Sequence, residues 1–474
     1  MACLEFEQLP DDVLLEIISF LYPRDIVRVR QINDRFRELT TQKSLWIRAY
    51  RRNSELFLSP LTCVQRVDDI ERILLRAETL DQAWTRRARA PSGLELVRSI
   101  PYTQCADEST FCQFLDNGRY LLLIRSISIA IFDLEVLGTV PVVQQVAEEG
   151  TRFHLPQSLG SPADIDTEGI YIPVLATRGD ASYLMIWNFR ASRTGLMEEV
   201  TNVNVSVFPR DRPLLYGSRG VVVFDQGVSG LSVYDNKTHK IYHLSQSTGS
   251  ENPWKTRHHH QVEYFPSFDS FVAIHTDDRV VSPTAPPRAP IITIHRFDPP
   301  SDKTAYEIIQ THSVVCPKTF TEPKLLSSIS ASPGCTTLHL AAIFLGVCFI
   351  GSMPVHVQVF SVTIHTDSSL SFLFPFETPR NTGCFTLTGL MLSSDESGRA
   401  RAVCRSRSCM FPFAMQTLLI ELTPGEFARS RGLDMHVGCS SYPSPDKIVA
   451  FDGFSGRICV TKSGDYTLRS YDIV

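Results

Sequence analysis

Apolar positions at the start of the chain recur at helical spacing. Within DDVLLEIISFL, Val13, Leu14, Ile17, Ile18 and Leu21 follow the rhythm of one buried helical stripe. Pro10 suits a first helical turn, and Asp11, Asp12 and Glu16 sit near the positive end of the helix dipole. Tyr22-Pro23 ends this helix and opens the next, because a residue before proline is pushed out of helical geometry. Ile26, Val29 and Ile32 form a second stripe, with Arg24, Arg28 and Arg30 between them. Phe36, Leu39, Leu45, Trp46 and Tyr50 continue through a third element. The expectation is three short helices folded into a hook over residues 1–52. A hook of this size has a small core, so some apolar surface should be left for a partner.

The helical rhythm resumes at Val64, Val67, Ile70, Ile73, Leu74, Ala77, Leu80 and Trp84, with Ser59-Pro60 as its start. This segment reads as a linker helix within residues 53–92, too short for a coiled coil of several heptads. From about residue 95 the texture changes to short runs of Val, Ile, Phe, Tyr and Thr between Gly, Pro, Ser and Asp clusters. One phrase recurs: alternating apolar residues, then an aromatic, then a polar or acidic residue. Its markers are Phe132, Trp187, Tyr234, Phe297, Phe360, Ile420 and Tyr471, spaced by 47 to 63 residues. Roughly equal units of short antiparallel strands predict a β-propeller of about seven blades over residues 93–474. Two stacked β-sandwiches would give a similar texture. The last strand, TLRSYDIV, is expected to pair into the first blade and close the ring. The fold class is therefore multidomain: a small all-α module and linker helix, then a large all-β domain.

The hook carries a more specific signal. Leu9-Pro10, Ile17, Leu21, Asp25, Ile26, Val29, Arg30, Phe36 and Leu45-Trp46 reproduce an L-P opening, an apolar stripe, a P-x-D-[LI] junction, an R-Q-[VI]-x-x-R-F stretch and a closing L-W. This segment resembles the F-box of substrate-recognition subunits of cullin–RING ubiquitin ligases. A looser likeness to fungal, mushroom-type F-box proteins extends to FDGFSGRICV at 451–460. The resemblance implies docking on a Skp-type linker protein and, through it, on a cullin, with an unknown target protein held by the β domain. It implies that Leu9, Pro10, Ile17, Leu21, Ile26, Val29 and Trp46 are linker-protein contacts or hook core; the sequence does not divide them. NGRYLLLI at 117–124 followed by ISIAIFDL resembles consecutive strands of WD-repeat proteins, although the Gly-His and Trp-Asp signatures are missing. Two other readings stay open. One is a scaffold outside the ligase, or a propeller protein whose N-terminal helices only pack internally; the other is a propeller enzyme.

Charge and chemistry narrow these readings. The net charge of −5 gives no general drive toward nucleic acid or anionic membrane. The clusters RRAR at 86–89 and RARAVCRSR at 399–407 are read as solvated faces. The beginning of the sequence has no secretory-signal pattern, and 12 cysteines without C-x-x-C spacing fit reduced thiols in the cytoplasm or nucleus. In that setting the sequons at Asn204 and Asn236 and the tripeptide Arg178-Gly179-Asp180 carry no meaning. The apolar run LAAIFLGVCFI at 340–350 is shorter than the roughly 20 residues of a spanning helix and reads as a buried strand, a turn and a second strand. Gly227-Val228-Ser229-Gly230 lacks the spacing of a nucleophile elbow and reads as a turn. There is no P-loop, no dinucleotide fingerprint and no H-E-x-x-H. His258-His259-His260, read as part of a polar loop, and the Cys404/Cys409 pair lack ligand spacing. The expectation is a non-catalytic adaptor without cofactor or metal. Target contacts are expected on loops at one propeller face, such as 245–260 and 277–290, and VSPTAPPRAP at 281–290 reads as a stiff exposed loop.

Overall fold

The structure is a computed structural model. It describes residues 9–53, 55–58, 66–85, 94–101, 110–136, 140–154, 170–190 and 196–205, then the strands between 215 and 433 with residue 399, and finally 447–462 and 465–473. Ser59-Pro60, Val64, the cluster at 86–89, Gly227–Gly230, Asn236, Cys409 and the segment 281–290 lie outside the described residues.

The hook has four helices where three were expected: α1 (Asp11–Ile18), α2 (Pro23–Val29), α3 (Asp34–Thr40) and α4 (Lys43–Arg52). The expected third element divides at Thr41-Gln42 for a local reason. Asn33 starts α3 by accepting the Phe36 N–H (2.9 Å). At its other end the Thr40 carbonyl accepts the Trp46 indole N–H at 2.8 Å, which folds α4 back onto α3. Leu14, Leu15, Ile18, Ile26, Phe36, Leu39, Leu45, Trp46 and Ala49 form the hook core. That core reaches past residue 52, because Leu56 and Leu58 join it together with Ile70, Leu74 and Ala77 of α5 (Val67–Thr85). Burying each large aliphatic side chain contributes roughly 1.5–3 kcal/mol. The linker helix is thus part of the hook's core as well as its continuation.

With β1 (Leu94–Pro101) included, the described strands fall into seven four-stranded antiparallel units. The first is β2 (Phe111–Leu115), β3 (Tyr120–Arg125), β4 (Ser128–Asp133) and β5 (Val143–Val146). The second is β6 (Thr151–His154), β7 (Ile170–Arg178), β8 (Ala181–Arg190) and β9 (Leu196–Val205). The third comprises β10 (Leu215–Ser218), β11 (Val221–Asp225), β12 (Leu231–Asp235) and β13 (Lys240–Gln246). The fourth comprises β14 (His258–Phe265), β15 (Ser270–Thr276), β16 (Ile291–Asp298) and β17 (Ala305–Val315). A parallel pairing of β13 with β17 joins these two into one eight-stranded sheet. Then come β18 (Phe320–Ser332), β19 (Cys335–Leu345), β20 (Val355–His365) and β21 (Leu370–Leu373). They are followed by β22 (Phe385–Ser394), β23 (Ala400–Ser408), β24 (Met415–Leu422) and β25 (Arg429–Leu433). The last unit is β26 (Lys447–Asp452), β27 (Arg457–Lys462) and β28 (Asp465–Ile473), completed by β1.

Neighbouring units meet through their first and second strands and close a ring. β26 lies against β2 and β22, β22 against β18, β18 against β14, β14 against β10, β10 against β7, and β6 against β3. This is a β-propeller. Each sequence marker from Phe132 to Tyr471 falls in the third strand of its unit. The closure differs in sense from the expectation: β1 adds to the last unit, with Leu94 opposite Ile473 and Pro101 opposite Thr467.

Two further expectations are corrected. His258–His260 begin strand β14, whose backbone pairs with β15, and do not lie in a loop. Alternating HHHQVEYF satisfies its backbone in a ladder despite its polar start. Arg401 is 1% exposed, so this residue of the basic run does not lie on a solvated face. The run at 340–350 begins in β19, and no helix among the described residues is long and apolar enough to cross a membrane.

Candidate docking site

Helix α1 is apolar on two sides, which corrects the single buried stripe. Leu14, Leu15 and Ile18 point into the hook. Val13, Ile17 and Phe20, spaced as i, i+4 and i+7, share the opposite side and are exposed, Phe20 by 70%. Tyr22 and Ile32 are also exposed, and so is Pro10 at the helix entry. The entry is fixed by Arg35, which donates to the Leu9 carbonyl (2.6 Å) and to Asp11 (2.9 Å). At the other end, Glu16 pairs with Arg48 and Arg52 of α4, and the Arg52 guanidinium lies over the Phe20 ring, 3.7 Å from its centroid.

The seven residues singled out from the sequence therefore divide. Ile26 and Trp46 are fully buried core. Leu9, Leu21 and Val29 are half-buried against that core. Pro10 and Ile17 face outward. Sequence reasoning placed Val13 on the buried side and left Phe20 and Tyr22 out of the contact set. The i, i+4, i+7 spacing of 13, 17 and 20 was the available signal.

Arg30 joins the hook to α5. Its guanidinium makes a bidentate pair with Glu71 (2.9 and 2.5 Å), donates to the Thr40 hydroxyl and carbonyl, and lies 5.6 Å from the Trp46 ring centroid. Arg24 adds contacts from α2, with its backbone N–H on Glu78 (3.0 Å) and its side chain on Thr79 (2.8 Å).

The other side of α5 is seated on the propeller. Arg76 donates to the Ser455 carbonyl (2.6 Å) and to Asp472 (2.7 Å), which also receives Arg457 (2.9 Å). Arg72 makes two bonds to Glu135 at 2.8 Å. Arg401 lies between the Phe57 and Trp84 rings, 4.9 and 5.1 Å from their centroids, with Asp81 at 3.6 Å. Arg399 donates to the Glu55 and Leu56 carbonyls, and Phe57 stacks on Phe454 at 4.8 Å. Burial here pushes the Asp81, Asp116 and Asp452 carboxyls above their ordinary range, and burial followed by repulsion from Arg457 lowers Arg76.

The seat explains the FDGFSGR turn. Asp452 accepts the Ser455 N–H (3.0 Å) and the Phe454 N–H (3.4 Å), tightening the turn between β26 and β27. Gly456 has φ +67°, and a Cβ there would fall on the Leu80 side chain of α5. Gly118, at φ +77°, is packed as closely on Ser455, and its carbonyl accepts from Arg457 (2.5 Å). These contacts involve the connections between first and second strands (116–119, 399, 453–456) and between third and fourth strands (Glu135). The hook and α5 therefore sit at one end of the ring.

Residues 6–52 match the family described as F-box-like. The hook is an F-box-like domain. No curated protein matches the chain. Among solved structures, the WD40 domain of SCAP from fission yeast is similar at 12% identity and a TM-score of 0.39, covering 76% of this chain and 84% of that one. The β-propeller domain of Cps50 (Swd1) from Myceliophteria thermophila is similar at 10% identity and a TM-score of 0.42, covering 80% of this chain and all of its own (100%). The N-terminal domain of Nup159 is similar at 12% identity and a TM-score of 0.35, covering 81% and 95%.

Proposed function

We propose that this chain is a substrate receptor of a Skp–cullin–F-box type ubiquitin ligase, working in the cytoplasm or nucleus and performing no chemistry itself. The observation that carries this reading is the outward apolar row Val13, Ile17 and Phe20 on an F-box-like hook whose core is already complete. Such a row gains by being covered, and F-box domains generally bind Skp-type linker proteins. A target held on the propeller would then sit at a set distance from the conjugating enzyme, raising its effective concentration.

The same geometry favours one propeller face for the target. In a four-stranded meander the second-to-third connections lie at the end away from the first-to-second ones. The hook occupies the latter end. The strand ends joined by 247–257 and 277–290 belong to the other end, away from the described residues of the hook and α5, and this is the face we assign to a target.

Co-purification with a recombinant Skp-type linker protein tests the reading, with wild type beside Ile17→Glu. Ile17 is exposed, so the variant is expected to fold and to lose the linker. Absence of wild-type binding with both proteins folded overturns the ligase role for that linker and leaves a propeller scaffold as the better account.

A further inference from the structure

We infer that Arg52 is a positioning residue for the docking face: it holds the Phe20 ring in the pose that a linker protein would meet. The inference rests on the docking role proposed above and deepens it. Phe20 lies just past the end of α1, where its N–H still bonds the Ile17 carbonyl (3.1 Å), and the residue is 70% exposed. Among the described residues it is not part of the hook core, so core packing does not fix its side-chain torsions. The Arg52 guanidinium supplies the missing wall, 3.7 Å from the ring centroid.

That guanidinium is itself held. It pairs with the Glu16 carboxylate, donates to the Glu16 carbonyl (3.2 Å), and contacts the Ser19 hydroxyl. Arg48 braces Glu16 from the same helix at 3.2 Å. Arg52 ends α4, whose Leu45, Trp46 and Ala49 are buried, so its backbone is anchored in the core. A planar cation fixed at several points and stacked on an otherwise uncovered ring lowers the ordering cost of binding through that ring. Lysine keeps the charge toward Glu16 but has no flat face to stack.

A role limited to stapling α1 to α4 is separated by a double-mutant cycle. Affinity of the full-length chain for a recombinant Skp-type linker protein is measured for wild type, Phe20→Ala, Arg52→Ala, Arg52→Lys and Phe20→Ala/Arg52→Ala, with thermal melting of each. Phe20→Ala is expected to weaken binding by about tenfold or more, and Arg52→Ala by roughly three- to fivefold. Arg52→Lys should weaken binding as Arg52→Ala does, while melting like wild type. Arg52→Ala should add little once Phe20 is gone. Full rescue of affinity by lysine, or an equal loss with and without Phe20, overturns the positioning role while leaving the docking role intact. A folded wild type that does not bind the linker overturns both.

Discussion

The two sides of the hook-and-helix unit are built from the same residue types arranged in opposite ways. On the outer side of α1, apolar residues stand in the open and charged residues form a rim, with Glu16, Arg48 and Arg52 half-exposed around Phe20. On the side of α5 that meets the propeller, charges are taken inward and paired, while Leu80 and the Phe57 ring are covered. A surface already closed within one chain can bury Arg401 because its partners are fixed in place. A surface that must stay soluble until a partner arrives keeps its ions in water, where they contribute little to stability. Substitutions on the two sides should consequently fail in different ways: loss of folding at the seat, loss of binding at the row.

The largest effect is expected at Gly456. Alanine there must adopt φ +67° and displace Leu80. Left-handed strain and overpacking together should cost roughly 2–4 kcal/mol. Chemical denaturation should show the loss, and Leu80→Ala in the same chain should relieve part of it. If Gly456→Ala unfolds at the wild-type midpoint, the helix is not seated on this turn.

Arg76→Ala ranks next. It strips the Ser455 carbonyl of a charged donor and leaves Asp472 with Arg457 alone. Such a loss is worth about 1.5–3 kcal/mol, read as a lower thermal midpoint. Ile17→Ala is the contrasting substitution on the open side. Its stability change should stay within about 0.5 kcal/mol, while linker affinity falls. A large melting shift for Ile17→Ala would mean that the outer row is covered within this chain, and the contrast between the two sides would collapse.

How far these sides were legible in the sequence follows from how local their signals are. Strand alternation repeats within a few residues, so the markers from Phe132 to Tyr471 found the third strand of each unit without any long-range information. The hook's residues also carry their own punctuation, at Pro10 and Pro23. The direction in which α1 presents its residues was not local. With apolar side chains on two sides of the helix, the packing of α3 and α4 decides which side is inside. The seat was less legible still, because it brings Arg76 and Asp81 together with Arg401 and Asp472 from distant segments. A basic run such as 399–407 looks solvated until Trp84 and Phe57 are placed beside Arg401. The FDGFSGR turn was visible as a pattern, but its use as a seat depends on a helix far from it in sequence.

The smallest effect concerns pH at that seat. Burial raises the Asp452 carboxyl above its ordinary 3.8, against the pull of the Ser455 and Phe454 N–H groups and of Arg76. A carboxyl raised in the folded state holds its proton better folded than unfolded. Its contribution to stability is therefore full below the ordinary value and is lost as pH rises through the folded value. A side-chain amide cannot ionise, so Asp452→Asn removes this dependence while keeping one oxygen to accept from the turn. The stability of wild type relative to Asp452→Asn should accordingly fall as pH rises above the ordinary carboxylate value, measured by paired thermal melts at a series of pH values. A difference that grows with pH would mean that attraction to Arg76 and the turn N–H groups outweighs burial. In that case the seat would treat its carboxylate as the rim of α1 treats Glu16, as an ion kept for its partners.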